Sequence, residues 1–208
     1  PHGMATPPGG RVMNRRALRA TAAAATIFST LFIAVAWLKP APRYIWNASA
    51  SAPTGLYRVD GGAPPRLGDF VALDPPPALG TFLAQRGYLP RDVPLLKRVA
   101  GLPGALVCRS GVFVTVNGVA VARALARDRA NRQLPVWTGC RIVGRGELFL
   151  VNAARDSLDG RYFGPVSAAG LLGTAHPILT RTHPAAALRW GSAEPDHAPS
   201  LGKKETSS

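Results

Sequence analysis

From Ala20 to Leu38 the chain runs nineteen residues without a charge, ATAAAATIFSTLFIAVAWL. At a rise of ~1.5 Å per residue, such a segment nearly crosses a ~30 Å hydrocarbon core as a helix. Arg11, Arg15, Arg16 and Arg19 precede it, and Trp37 and Lys39 close it. The positive-inside rule then leaves the N-terminus in the cytoplasm and sends everything after Pro40 outside. A cleaved signal peptide is the rival reading, and Ala34-Val35-Ala36 has the form of a small-residue cleavage site. Its apolar region would run ~7–15 residues, however, so the segment is read as a retained anchor. Pro1 is not an initiator, and Met4 and Met13 are the candidate starts.

The 208 residues suit one domain plus appendages. The division expected is a basic cytoplasmic stretch over 1–16, a transmembrane anchor over 17–39, an exported domain over 40–181 and a disordered tail over 182–208. The tail is assigned on its Pro, Ser, His and charged content. With 20 Pro and 22 Gly, strands joined by tight turns are favoured over long helices. Residues 40–55 read as extended. Strands are expected at Asp69–Leu73, Pro94–Ala100 and Glu147–Val151, and the last ones at Gly160–Val166 and Gly173–Leu179. Val112–Val116 and Val119–Val121 flank Asn117-Gly118, a strong hairpin signal. Ala78–Gly87 could form a short helix, and the Arg-rich residues 123–139 read as an inserted loop or short helix. The sum is a mainly β, mostly antiparallel domain on a single helical anchor.

The net charge of +14, from 25 Lys+Arg against 11 Asp+Glu, invites a nucleic-acid reading. Basic residues bind phosphate when they cluster on one face. Here the arginines are scattered and several flank the membrane segment, so no nucleic-acid partner is assigned. Lysine is the informative residue. It occurs only at Lys39, Lys97, Lys203 and Lys204, so Lys97 is the single lysine within the expected domain. Arginine does not give up its proton in a protein, whereas a desolvated lysine can. The bland alternative is a surface lysine with its stem laid on apolar neighbours. Cys108 and Cys140 both fall in the exported part, where an oxidising compartment favours pairing. No cluster of Cys and His supports a zinc site, and no metal is assigned.

Three segments carry chemistry: NASASAPTGLY at 47–57, LLKRVAGLPG at 95–104 and RDSLDGRYFG at 155–164. Together they resemble the type I signal peptidases. In that family a serine precedes a Pro-containing turn, K-R-V-x-G-L-P-G carries a lysine, and S-x-D-x-R closes the site. The S-x-P-x-G-L-Y form and the D-G-R-Y-F-G-P ending are closer to the conjugal-transfer, TraF-type branch. The resemblance spans roughly residues 44–181. Two departures from the housekeeping enzymes fit that branch. One residue, not two, separates Ser51 from Pro53, and the usual G-D-N-R-D run is replaced by Val151-Asn-Ala-Ala-Arg155-Asp156.

The resemblance implies a serine endopeptidase with a signal-peptidase-like β domain. Ser51 would be the nucleophile and Lys97 its general base. A serine hydroxyl needs an adjacent base, and a lysine serves only when burial lowers its pKa from ~10.4. Ser49 competes as nucleophile in the same stretch; aligned on the Pro-Thr-Gly turn, it falls where the family places a hydroxyl that helps hold the oxyanion. Ser157 matches the position that orients the lysine. Asp159 and Arg161 match a bracing acid–base pair, and Asp159 is also implicated in activity in the conjugal branch. A Ser-His-Asp triad would have to use His176, the one histidine well inside the domain; a lone histidine is more often structural. No cofactor is implied. The implied partners are the lipid bilayer and a membrane-inserted precursor, pilin-like or otherwise exported. The implied location is the bacterial inner membrane, single-pass, with the catalytic domain in the periplasm. Only a dozen residues separate Lys39 from Ser51, which suits cutting a precursor where its apolar segment ends. A general signal peptidase, or a catalytically silent membrane assembly factor on the same fold, are the alternatives.

Overall fold

The computed structural model describes residues 14–38, 43–183 and 185–191. The chain divides into two compact units, Pro1–Ala41 and Pro42–Ser208. In the first, helix α1 (Arg15–Leu38) has 24 residues and is long and apolar enough to cross a membrane. The hydroxyls of Thr21, Thr26 and Thr30 donate to the carbonyls of Ala17, Ala22 and Thr26 one turn back. Their polar atoms are thereby satisfied inside the helix, as a lipid surrounding demands. The helix includes Arg15 and Arg16, two residues more than the anchor expected from sequence, while Lys39 lies outside the described residues.

The second unit is built from antiparallel strands. β1 (Tyr44–Asn47), β2 (Thr54–Asp60) and β3 (Phe70–Leu73) precede helix α2 (Pro77–Gln85). β4 (Leu95–Gly101) is followed by β5 (Leu106–Ser110), β6 (Phe113–Val116), β7 (Val119–Arg123), β8 (Gly139–Ile142) and β9 (Glu147–Leu150). Helix α3 (Gly160–Phe163), β10 (Val166–Ser167), β11 (Leu171–Arg181) and β12 (Arg189–Trp190) complete it. The larger sheet runs β1-β2-β11-β3-β4-β9-β10, with β12 also on β11, and the smaller runs β7-β6-β5-β8. The mainly β, antiparallel architecture expected from sequence is the one found.

Alternation of apolar side chains along the strands creates the core. Val107, Val114 and Val116 of the smaller sheet pack with Val143, Phe149 and Val151, joining the two sheets. Val71, Leu73, Val99, Leu148 and Leu150 form a second cluster around β4. Each such fully buried side chain contributes ~1.5–3 kcal/mol. A third cluster of Ala52, Tyr57, Leu96 and Ala175 underlies the turn between β1 and β2. The β6–β7 hairpin turns on Asn117 and Gly118, at φ 50 and 81. Positive φ at both positions is the two-residue geometry that matches strand twist.

Three expectations are corrected. Gly160–Phe163 is a helical turn and not a strand, because Asp159 accepts the backbone N–H of Arg161 as an N-cap. Residues 40–55 are not uniformly extended: β1 ends at Asn47, and the chain turns before β2 begins at Thr54. Of the two forms expected for residues 123–139, the loop is the one found: Asp128 accepts the N–H groups of Ala130 and Arg132 and closes it. The segment expected as a disordered tail contains β12, which pairs through Thr180↔Arg189. The first half of β11 has β3 on that flank, which leaves the second half with open backbone groups that β12 covers. The rest of the tail expected to be disordered lies outside the described residues.

Cys108 and Cys140 sit directly opposite one another on β5 and β8 and are joined by a disulfide. It closes a loop with a sequence separation of 32. Loop-closure entropy then predicts that Cys108→Ser/Cys140→Ser loses ~3–4 kcal/mol of stability, read by urea denaturation against the oxidised protein.

Candidate active site

Ser51 stands in the connection between β1 and β2, which pair in register from Asn47↔Gly55 to Tyr44↔Arg58. The connection is held from beneath by one buried amide. Asn47 Nδ2 donates to the carbonyls of Ser49, Ala52 and Pro53 at 2.9, 3.2 and 3.0 Å. Its Oδ1 accepts the Ser49 N–H at 3.0 Å. The Tyr57 hydroxyl, whose pKa burial pushes up, donates to the Pro53 carbonyl at 2.7 Å. Gly55 closes the turn at φ 147, where a Cβ would stand 2.1 Å from the Leu179 carbonyl of β11. Only glycine permits that approach. Ser51 is therefore carried on a braced turn, and Ser49 Oγ lies 3.0 Å from Ser51 Oγ and 3.3 Å from its backbone N.

Lys97 comes from the middle of β4, opposite Val71 of β3, and is 6% exposed. Its Nζ lies 2.9 Å from Ser157 Oγ and 3.4 Å from Ser51 Oγ. The second distance is long for a hydrogen bond. Burial lowers the Lys97 pKa from the ordinary 10.5 to about 8. Asp159 opposes that shift, Arg161 reinforces it, and Asp156 opposes it more weakly.

The third segment closes behind the lysine. Arg161 Nε and Asp159 Oδ1 pair at 2.8 Å, with both side chains almost wholly buried. Arg161 also donates to the carbonyls of Asn152 and Arg155 at 2.6 and 3.1 Å. Asp159 Oδ2 accepts the Asn152 N–H at 3.0 Å. The strand-to-helix loop carrying Ser157 is thus tied at both ends to one ion pair. In front, a cleft of about 680 Å³ is lined by Ser49, Ser51, Lys97 and Ser157, with Ile45, Leu83, Leu95 and Leu158 among its apolar walls. Arg129 and Asp156 form an ion pair at its rim.

Of the residues singled out in the sequence, Ser51, Lys97, Ser49 and Ser157 converge on this cleft. Asp159 and Arg161 stand behind it as a bracing pair. His176 does not join them: it is exposed on β11, with Nε2 3.1 Å from Thr174 Oγ1. Among the described residues, no three His, Cys, Asp or Glu side chains gather as metal ligands. Asn47, Tyr57 and Asn152 were not anticipated. Asn47 opens the first motif and is a turn-favouring residue, the one signal that could have marked it.

A family model described as signal peptidase, peptidase S26, matches residues 15–180, which take in all three segments of the site. The chain belongs to that family. Among its relatives is the conjugal transfer protein TraF of Agrobacterium tumefaciens, 35% identical over 176 residues that cover 80% of this chain and 97% of that protein. A probable conjugal transfer protein TraF of Sinorhizobium fredii is 39% identical over 66% of this chain and 77% of its own. The crystal structure of a signal peptidase I from Enterococcus faecalis aligns with 54% of this chain and 97% of its own, at 22% identity and a TM-score of 0.33.

In this signal peptidase family member, breaking the buried pair leaves an uncompensated charge. Asp159→Ala is expected to cost ~3–5 kcal/mol by urea denaturation, because Arg161 remains buried without its partner. Asp159→Asn keeps an acceptor and is expected to cost less.

Proposed function

We propose that this protein is a membrane-anchored serine endopeptidase that uses Ser51 and Lys97 to remove leader segments from exported precursors. The observation that carries the proposal is the buried Lys97 amine, seated between Ser157 and Ser51 with its pKa brought down to about 8. A neutral amine has one lone pair and two N–H donors. Donation to Ser157 Oγ leaves the lone pair free to face Ser51.

The reaction follows from that arrangement. Lys97 Nζ takes the Ser51 proton as Oγ attacks the scissile carbonyl carbon. The negative charge that develops on the carbonyl oxygen is met by the Ser51 N–H and the Ser49 hydroxyl. One such donor accounts for ~10²–10³ in rate. Lys97 then passes the proton to the departing amine, leaving the precursor's acyl fragment on Ser51. Water, deprotonated by Lys97, attacks that ester, and as the acyl–oxygen bond breaks Lys97 returns the proton to Ser51 Oγ. Asp159 and Arg161 keep the Ser157 loop in place and take no proton.

The names of the relatives and the apolar helix suggest the setting. We assign the helix as a single-pass anchor in the bacterial inner membrane, with its arginine-rich end in the cytoplasm and the β domain in the periplasm. The substrate class is a membrane-inserted precursor of a conjugative system, a pilin above all. An extended chain would enter the cleft and present small side chains to it.

Two outcomes test this. Co-expressed with the precursor from its own locus, the wild-type protein is expected to shorten it, whereas Ser51→Ala and Lys97→Arg leave it intact on an immunoblot. Processing by Lys97→Arg would remove the lysine from its role. The second test is pH. Because the base acts only unprotonated, activity is expected to rise with pH through a midpoint near 8 and to fall away below it. A rate that stays flat from neutral pH downward would contradict it.

A further inference from the structure

Asn152 follows β9 and is 2% exposed. Its side chain does the work of a missing strand partner. β9 pairs with β4 through Val99↔Leu150 and Gly101↔Phe149, with a register shift between, and just beyond it the Val151 N–H donates to the Arg98 carbonyl at 2.9 Å. Next to Lys97 the ladder is completed by the Asn152 amide. Oδ1 accepts the Arg98 N–H at 2.8 Å, and Nδ2 donates to the Leu96 carbonyl at 3.1 Å. These are the peptide groups on either side of Lys97. They also settle which way the amide points, since a backbone N–H needs the oxygen and a backbone carbonyl needs the nitrogen. Its own backbone is held by Asp159 Oδ2 at 3.0 Å and by Arg161 at 2.6 Å.

The nitrogen so oriented lies 3.4 Å from Ser51 Oγ. Ser51 Oγ has two further polar neighbours, Ser49 Oγ at 3.0 Å and Lys97 Nζ at 3.4 Å. A hydroxyl has one proton to give and two lone pairs to be met. An amide nitrogen donates and does not accept. Facing Asn152, the Ser51 oxygen can present only a lone pair, so its proton is directed elsewhere. Of the two neighbours that remain, Ser49 Oγ already accepts the Ser51 N–H at 3.3 Å, and an unprotonated amine is a stronger base than a hydroxyl, so the lysine is the better acceptor.

We propose that Asn152 is a positioning residue of the dyad: its Nδ2 aims the Ser51 proton at Lys97, and its neutrality keeps a further carboxylate away from the base. This rests on the Ser51–Lys97 reading given above. The charged groups facing Lys97 are Asp159 and Arg161 at the start of α3 and Asp156 in the preceding loop. Asp156 is itself paired with Arg129 from the 123–139 loop. Arg98 is the lysine's neighbour on β4. Asp159 is matched by Arg161 and Asp156 by Arg129, so an aspartate at 152 would add a negative charge with no cation of its own.

The test uses the full chain in detergent, a fluorogenic peptide with an Ala-x-Ala site, and rates normalised to folded protein by circular dichroism. Asn152→Asp is nearly isosteric but turns the donor into an acceptor and adds charge. It is expected to move the acidic limb of the kcat profile upward by about one unit. It is also expected to lower the plateau kcat ~10-fold or more, with KM little changed. Asn152→Ala removes the donor without adding charge, and is expected to lower kcat while leaving the limb where the wild type has it. A brace with no part in the proton's direction would change only the folded fraction. An Asn152→Asp limb that does not move, whatever its plateau rate, overturns the proposal. If that variant does not fold, Asn152→Ala decides: wild-type kcat per folded molecule overturns it. Ser51→Ala runs beside them. Cleavage by Ser51→Ala would defeat the dyad reading itself, a result distinct from either Asn152 outcome.

Discussion

The site depends on keeping an amine dry. Water stabilises a lysine's charged form, and burying Lys97 on β4 against the Ser157 loop removes that stabilisation. Burial is the largest influence on Lys97, ahead of the attraction of Asp159. An unpaired carboxylate beside a buried lysine would restore the proton. Here the carboxylate is engaged by Arg161 through Nε and NH2 at 2.8 and 3.1 Å, so its charge is largely answered before it reaches the amine. The ion pair therefore matters twice, once in fixing the Ser157 loop and once in letting desolvation prevail.

The β scaffold supplies this enclosure because its strands arrive from distant parts of the sequence. β4 brings Lys97, the β1–β2 connection brings Ser51, and the loop after β9 brings Ser157. Each is secured by a buried polar group that satisfies backbone atoms locally. Asn47 and Tyr57 hold the carbonyls of the turn that carries Ser51, and Asn152 completes the ladder on β4. Left unpaired, such groups would each cost ~1–3 kcal/mol. Satisfying them with short, stiff amides fixes geometry that longer side chains would blur.

Much of this was legible in the residues. Lys97 stood out because it is the single lysine within the expected domain of an arginine-rich chain, and Ser51 because of its Pro-Thr-Gly turn. The Asn117-Gly118 hairpin could be read because its geometry is dictated by two adjacent residues. What escaped depends on contacts between distant segments. Nothing local tells Asn152 that it will stand beside Leu96 and Arg98. The 160–163 segment falls within a stretch read as strand, and the cap from Asp159 makes it helical. β12 forms because β11 leaves an open edge, a fact of sheet order that the Pro- and Ser-containing tail does not encode.

The most direct test of the account is to titrate Lys97 itself. The sequence holds four lysines, so selective 13C labelling at Cε and comparison with Lys97→Arg isolate its signal. The account predicts a midpoint of about 8, well below the ordinary 10.5. A midpoint at or above 10.5 in the folded protein would show a hydrated, charged amine, and the dyad would have no base.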